Sequence, residues 1–410
     1  MNVSPSFSPP IKLMQPYFFL SAGFYFLSFF SLFFLDPFVA IEDFLLIGWV
    51  HLYMLGFVMM GIFAAMAQLG PIVVESRHSN VSIFKYLWLF LLLGLLTMLI
   101  GFYKDVTFLP IGGFLVLIAM LIYAIEFLLT IKSSKRKTSI TKAMQMSNFF
   151  LLFGIVTGLV MALAFNGQIQ INPHDILNIH TFGLVVGFVI LLIMGISIIL
   201  IPMFGSSTRI SDNEFTKSFY TIAFGVTLMM LSPFFYTTVL KNSAYFITIV
   251  AIILYFYQLY KMIRSRKRVK HDVWARSMYV AFSSFFLATL LLVYSLFDTE
   301  DLSLKLGMWI LFIGFFGFVI VGNFYKVIPF LVWFHLYSPL IEERAVPMLH
   351  ELLPSRLANL QWFYSLLGLG VTSLALLTHN ILLFKGGLTL LCVASLIFFI
   401  IIIKILKLKI

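Results

Sequence analysis

The chain has 410 residues, of which 61% are hydrophobic and 10% charged, and its formal net charge is +11. An average soluble domain is about 25% charged, so this composition excludes a soluble globular protein. Apolar runs of about twenty residues recur along the chain, and each is long enough to cross ~30 Å of hydrocarbon. The sequence therefore predicts an all-α, polytopic membrane protein with one transmembrane domain over residues 1–410.

Twelve apolar runs predict twelve transmembrane helices, which we number as spans one to twelve. The first run lacks a small-residue cleavage site, so we expect a first span rather than a cleaved signal peptide. The runs cover residues 16–35, 45–70, 84–103, 107–131, 144–166, 177–203, 217–239, 243–263, 273–297, 305–334, 359–378 and 381–403.

The basic residues indicate how the spans are oriented. They concentrate in the loops after even-numbered spans, which the positive-inside rule places in the cytoplasm together with both termini. The positive charge therefore reflects topology and contact with anionic lipids, and a nucleic-acid partner is not expected. The two main clusters are Lys132, Lys135, Arg136, Lys137 and Lys142 after span four, and Lys261, Arg264, Arg266, Lys267, Arg268 and Lys270 after span eight.

A Gly-Phe pair stands fifteen residues before a proline in spans two, six and ten. With 14 prolines in the chain, chance would seldom produce that offset three times at four-span intervals. We infer three four-helix units with approximate threefold symmetry, in which these spans are equivalent. The prolines are expected to end or kink the helices. The pairs begin at Gly56, Gly187 and Gly314, and the prolines are Pro71, Pro202 and Pro329.

Two of the eight histidines, His51 and His180, lie inside apolar helices, where an ionisable residue is by default a functional candidate. Both are expected at a similar depth in the outer part of the membrane. His180 shares a helix face with Gly183 and Gly187, which leaves room for a flat ligand or for a close helix. Met54 lies on the same face of span two as His51. The residues alone allow either metal or haem ligation or hydrogen bonding between helices.

The other ionisable residues have simpler interpretations. Exposure explains the remaining six histidines, which fall in loops or at helix ends. Glu126 lies near the inner end of span four, where snorkelling or hydrogen bonding between helices suffices and proton uptake is the alternative. A single cysteine, Cys392, excludes a disulfide and a cysteine-based metal site. The six histidines are His78, His174, His271, His335, His350 and His379.

This arrangement resembles the catalytic subunit I of haem-copper oxidases and nitric-oxide reductases, and in particular their divergent NnrS-type relatives. The resemblance covers the twelve spans in topology, and its most specific stretches are residues 48–57, 178–189 and 202–205. By position, it implies that His51 ligates a haem and that His180 ligates a copper ion.

The departures from that family are specific. Span seven lacks the histidine pair of the copper site, and Gly307 and Trp309 replace the two haem-ligating histidines of span ten. Leu52 and Tyr53 replace the NnrS-type His-Glu pair. A complete oxygen-reducing centre is therefore not expected.

The resemblance implies a bacterial inner-membrane protein that binds haem, with copper as a further candidate, near its outer side. His51 and His180 would be the ligands, with Met54, Gly183 and Gly187 beside the cofactor. Its work would be accessory to respiration or nitric-oxide handling, with a diatomic gas or respiratory subunits as partners besides the lipid bilayer. Two alternatives stay open: a transporter or channel for a metal, haem or small solute, and an assembly subunit of a respiratory complex.

Overall fold

The computed structural model describes residues 9–134, 137–235, 238–267, 271–298 and 301–408. Lys135, Arg136, Arg268 and Lys270 of the predicted basic loops lie outside the described residues. Within these ranges the regular structure is helical, and twelve helices are long and apolar enough to cross a membrane. The predicted all-α, multi-pass fold is confirmed.

The twelve spans follow the predicted runs, with ends that differ by up to six residues. Span one ends in a 3₁₀ turn, Leu32–Phe34, and span three begins with another, Val81–Ile83. The spans are Ile11–Phe34, Phe44–Val74, Val81–Tyr103, Phe108–Lys132, Ser139–Phe165, Pro173–Gly205, Asp212–Phe235, Thr238–Arg264, Val273–Tyr294, Asp301–Leu340, Ser355–Leu377 and Ile381–Leu406.

Several helices begin before their apolar runs because polar residues form the first turn. Span five begins at Ser139, where Thr138 and Thr141 form a capping box through reciprocal hydrogen bonds of 2.9 and 3.3 Å. Span six begins at Pro173 behind Asn172, whose side chain accepts a hydrogen bond from the backbone N–H of His174 at 3.2 Å. In spans five and six, the cap residue rather than the edge of the apolar run therefore decides where the helix starts.

The chain divides into two compact units. One unit holds Ala67–Lys270, which includes the end of span two and spans three to eight. The other holds Pro9–Met66 and His271–Ile410, which include span one, most of span two and spans nine to twelve. The expectation of a single transmembrane domain stays a prediction.

Spans two, six and ten are the most enclosed helices. In their most apolar stretches, 78%, 83% and 83% of the residues are buried, against 28–50% in the other nine spans. Each of the three changes from an α-helix to an eight-residue π-helix, in which each hydrogen bond encloses one more residue than in an α-helix. The π segments are Leu52–Met59, Gly183–Ile190 and Ile310–Gly317.

The π segments share one register. The Gly-Phe pair occupies the fifth and sixth positions in each, and a 15-residue α-helix follows, which ends three residues after its proline. These helices are Met60–Val74, Leu191–Gly205 and Phe318–Val332. The repeat inferred from the sequence is therefore also a repeat of local structure.

Glycine contacts between the third and fourth helices of each predicted four-helix unit follow the same repeat. A Cβ added at Gly94 in span three would lie 3.1 Å from the Gly112 carbonyl oxygen of span four. The equivalent distances are 3.2 Å from Gly225 to the Ala244 oxygen and 3.1 Å from Gly368 to the Gly387 oxygen. Each pair of helices therefore packs backbone against backbone. The threefold arrangement of the units stays a prediction.

Candidate functional site

In each π segment, the glycine of the Gly-Phe pair lies against the preceding span. A Cβ at Gly56 would approach the Phe24 ring to 2.6 Å, and one at Gly187 would approach Phe150 Cβ to 2.9 Å. At Gly314 it would lie 2.5 Å from Ser284 Oγ. The absence of a side chain therefore permits the first and second helices of each predicted four-helix unit to touch at the π turn.

Side-chain hydroxyls reach the backbone of two π segments. A π turn alters the backbone hydrogen-bond ladder, and its carbonyl groups can accept bonds from other helices. Ser21 of span one donates to the Phe57 carbonyl at 2.8 Å, and the Tyr53 hydroxyl donates to the Phe312 carbonyl at 2.7 Å. Both bonds are buried, and π segments are frequent at functional sites. These segments are accordingly the framework of the candidate site.

His51 is the last residue of the α-helix Phe44–His51 and directly precedes the first π segment. Its Nδ1–H donates to the Ile47 carbonyl at 2.8 Å, because a carbonyl oxygen can only accept. The neutral ring therefore carries its lone pair on Nε2. Met54 lies within the π segment and is half-buried, as is His51.

His180 lies three residues before the π segment of span six. Its Nδ1–H donates to the Gly154 carbonyl of span five at 2.8 Å, so its lone pair is also on Nε2. A Cβ on Gly158 would lie 2.5 Å from His180 Cε1, so the ring rests directly on span five. This contact and the hydrogen bond fix both the tautomer and the position of the imidazole.

Gly183 and Gly187 contact neighbouring helices. A Cβ at Gly183 would meet Met230 Cε of span seven at 2.9 Å, and one at Gly187 would meet Phe150 and Val226 at 2.9 Å. The sequence allowed two interpretations of these glycines: room for a flat ligand, or close contact with another helix. In the structure, both glycines make close contact with other helices. Their place beside a cofactor stays a prediction.

His51 and His180 belong to different compact units. Their expected common site therefore stays a prediction, and each imidazole is a candidate ligand by itself. Within the described residues, no group of three or more histidine, cysteine, aspartate or glutamate side chains could hold a metal ion.

Aromatic side chains fill the space between spans two and ten. Trp49 and Trp309 are 4% and 7% exposed and stack with ring centroids 5.9 Å apart and planes 26° apart. The Tyr53 and Phe312 rings stack beside them at 6.0 Å. Trp49 lies two residues, about 200° around an α-helix, from His51. A haem held between these two spans, as the resemblance implies, does not fit this packing.

The structure also brings together two residues that the sequence analysis treated separately. His78 Nδ1 lies 2.9 Å from Glu126 Oε1, and the two side chains are 1% and 3% exposed. The interpretation of His78 as an exposed histidine is wrong, because the chain after span two folds back against span four. His174, His271, His350 and His379 are exposed, as expected, whereas His335 is half-buried.

No protein-family model matches the chain, and no curated protein matches it in sequence.

Proposed function

We propose that the protein binds haem in a bacterial inner membrane, on a scaffold related to subunit I of the haem-copper oxidases. His51 and His180 are the residues that would ligate its iron. The observation that supports this is that each imidazole donates Nδ1–H to a backbone carbonyl at 2.8 Å. Metal-ligating histidines commonly have this arrangement, because it orients the ring and leaves the Nε2 lone pair to bind the metal.

Haem fits the described donors better than copper does. A haem brings its four equatorial nitrogens with it and needs one or two protein ligands, whereas a copper ion needs several from the protein. The described residues supply single imidazoles and no group of three metal-binding side chains. A haem with one protein ligand keeps a coordination position for a diatomic gas such as nitric oxide. The protein's proposed work is therefore accessory to respiration or nitric-oxide handling, without a complete oxygen-reducing centre.

The chain's own residues define where such a haem would bind. His180 would hold it beside span five, where Gly154 orients the imidazole, and His51 would do so beside the π segment of span two. The aromatic packing of Trp49 and Trp309 excludes a haem ligated from spans two and ten together. The distribution of basic residues supports an orientation in which both imidazoles lie towards the outer side of the membrane and both termini lie in the cytoplasm.

The test is an optical spectrum of the detergent-purified protein, oxidised and then reduced, with haem, copper and iron quantified in the same sample. We expect a Soret band in the native protein. At least one of the variants His51→Ala and His180→Ala should lack this band or show it at lower intensity. His174→Ala and His379→Ala are matched controls, because both histidines are exposed, and they should retain the native haem content. A colourless native protein with intact helices would refute the proposal, as would unchanged haem in both intramembrane variants.

A transporter on the same scaffold is the second candidate. The observation that favours it is the dense aromatic packing at the position where the oxidases hold a haem between spans two and ten. This candidate predicts uptake of a metal ion, haem or small solute into proteoliposomes, with nothing retained by the purified protein. A protein that retains haem and shows no such uptake would eliminate it.

A further inference from the structure

His78 and Glu126 form a polar centre where the end of span two meets span four. His78 follows span two, and its Nε2–H donates to the Ala67 carbonyl at 2.6 Å. Its Nδ1 faces Glu126 Oε1 at 2.9 Å, across 48 residues of chain. A Cβ at Gly70 would lie 2.5 Å from the Phe127 ring, so the two helices are in direct contact here. The pair is consequently enclosed by protein.

The hydrogen bonds that the described residues make with the Glu126 carboxyl group all fall on one oxygen. Oε1 accepts from the Thr130 hydroxyl at 2.8 Å and from the Ser79 backbone N–H at 3.1 Å, in addition to facing His78 Nδ1. Since Nε2 of the ring donates its hydrogen to the Ala67 carbonyl, the contact between Nδ1 and Oε1 requires one proton between these two atoms. The pair is then neutral as a whole.

The second oxygen of Glu126 is different. Oε2 is buried and has no hydrogen-bond partner within the part of the chain that the structure describes, although the residue is only 4% exposed. A carboxylate oxygen out of contact with water or a donor is costly, and an intramembrane carboxyl is by default a functional residue. Thr130, Ser79 and His78 do not compensate it, because they all bind Oε1.

Among the residues that the structure describes, few other titratable or charged groups lie near this centre. On span four, the Tyr123 phenol is within electrostatic range of Glu126. On span three, the Phe84 ring packs against His78 with centroids 5.1 Å apart. The charged residues at the ends of the surrounding helices and in the intervening connection are exposed to solvent: Glu75, Arg77, Lys85, Lys132 and Lys142.

We propose that Glu126 Oε2 is a proton-binding position, separate from the candidate haem ligands. A proton from water or hydronium forms an O–H bond at Oε2, and the His78–Glu126 pair passes from a net charge of zero to +1. Deprotonation returns the same proton to water, so no electron or other group is transferred. The protein thereby takes up one proton at the end of span two that follows Pro71, with His78, Thr130 and Ser79 holding the carboxyl in place.

Infrared difference spectroscopy of the purified, membrane-reconstituted protein tests this proposal. As the pH is lowered through the range in which the protein stays folded, the carbonyl stretch of a protonated, buried carboxyl should appear in the native protein. It should be lost in Glu126→Gln, which keeps the size and hydrogen-bonding capacity of the side chain. Glu214→Gln is the matched control, because Glu214 pairs with Lys261 at a more exposed position, and this variant should retain the band.

Glu126→Asp is a second variant that tests the proposal even if Glu126→Gln fails to fold. It keeps a carboxyl one methylene shorter, so the band should persist at a shifted frequency. A native protein without such a band over this pH range would overturn the proposal, as would a band that Glu126→Gln leaves unchanged. Haem content plays no part in the measurement, so its outcome is independent of the function proposed above.

Discussion

Gly314→Ala tests whether the π segments are held by close contact between helices. The new Cβ would lie 2.5 Å from Ser284 Oγ and 2.6 Å from Ser284 Cβ. Ser284 Cβ is attached directly to the backbone of span nine, so a side-chain rotation cannot move it away. The two helices must therefore separate, or the π turn must shift.

The expected cost follows from two opposing contributions. Overpacking that moves backbone costs ~1–3 kcal/mol, and the rigid neighbour places this site near the upper limit. Alanine is favoured over glycine within a helix by ~1 kcal/mol. The net loss of unfolding free energy is then about 2 kcal/mol. Gly370→Ala, at an exposed helix position with no heavy atom within 4 Å of the added Cβ, should instead be neutral or gain up to ~1 kcal/mol.

The measurement is the unfolding of both variants in mixed detergent micelles, followed by circular dichroism and tryptophan fluorescence. The two variants should differ from each other by about 2–3 kcal/mol, with Gly314→Ala less stable than the native protein and Gly370→Ala as stable or more stable. Equal stability of Gly314→Ala and Gly370→Ala would refute the contact argument.

Two further substitutions test the surroundings of the candidate site. Gly158→Ala would place a Cβ 2.5 Å from His180 Cε1 and should displace the imidazole, so bound haem should fall as it does in His180→Ala. Gly113→Ala, with no atom nearer than 3.3 Å, should leave haem content unchanged, and equal content in the two glycine variants would contradict this reasoning. Tyr53→Phe removes the donor to the buried Phe312 carbonyl and should cost ~1–3 kcal/mol of unfolding free energy. A native-like denaturation midpoint with an unchanged transition slope would show that this bond contributes nothing.

The positions of the spans could be predicted because hydrocarbon thickness sets the length of each apolar run. The equivalence of spans two, six and ten could be predicted as well, because the Gly-Phe pair and the proline keep a constant offset. The π-helical geometry of these spans could not be predicted from the sequence. Whether a carbonyl pairs with the fourth or the fifth residue along the helix depends on contacts such as that of Gly56 with Phe24, which hydropathy does not encode.

The burial of His78 could not be predicted from its neighbours in the sequence. His78 follows Glu75 and Arg77 in a polar connection, so exposure was the natural prediction. Its burial depends on Glu126, which lies 48 residues further along. The available signal was Glu126 itself, because a carboxylate in an apolar helix requires a partner, and His78 follows a span that ends at the same side of the membrane.

For the candidate ligands, the sequence placed His51 and His180 within helices, and the structure agrees. Their hydrogen bonds to the Ile47 and Gly154 carbonyls depend on side-chain rotamers and on the packing of span five, which one sequence does not specify. The role of His51 and His180 as ligands stays a prediction until bound haem is measured.

The common register of the three π segments supplies internal references within one chain. Gly56, Gly187 and Gly314 occupy the same position of their π segments, but each lies against a different neighbour: a phenylalanine ring, a phenylalanine Cβ and a serine. The same substitution at the three positions therefore compares three kinds of contact in one local backbone.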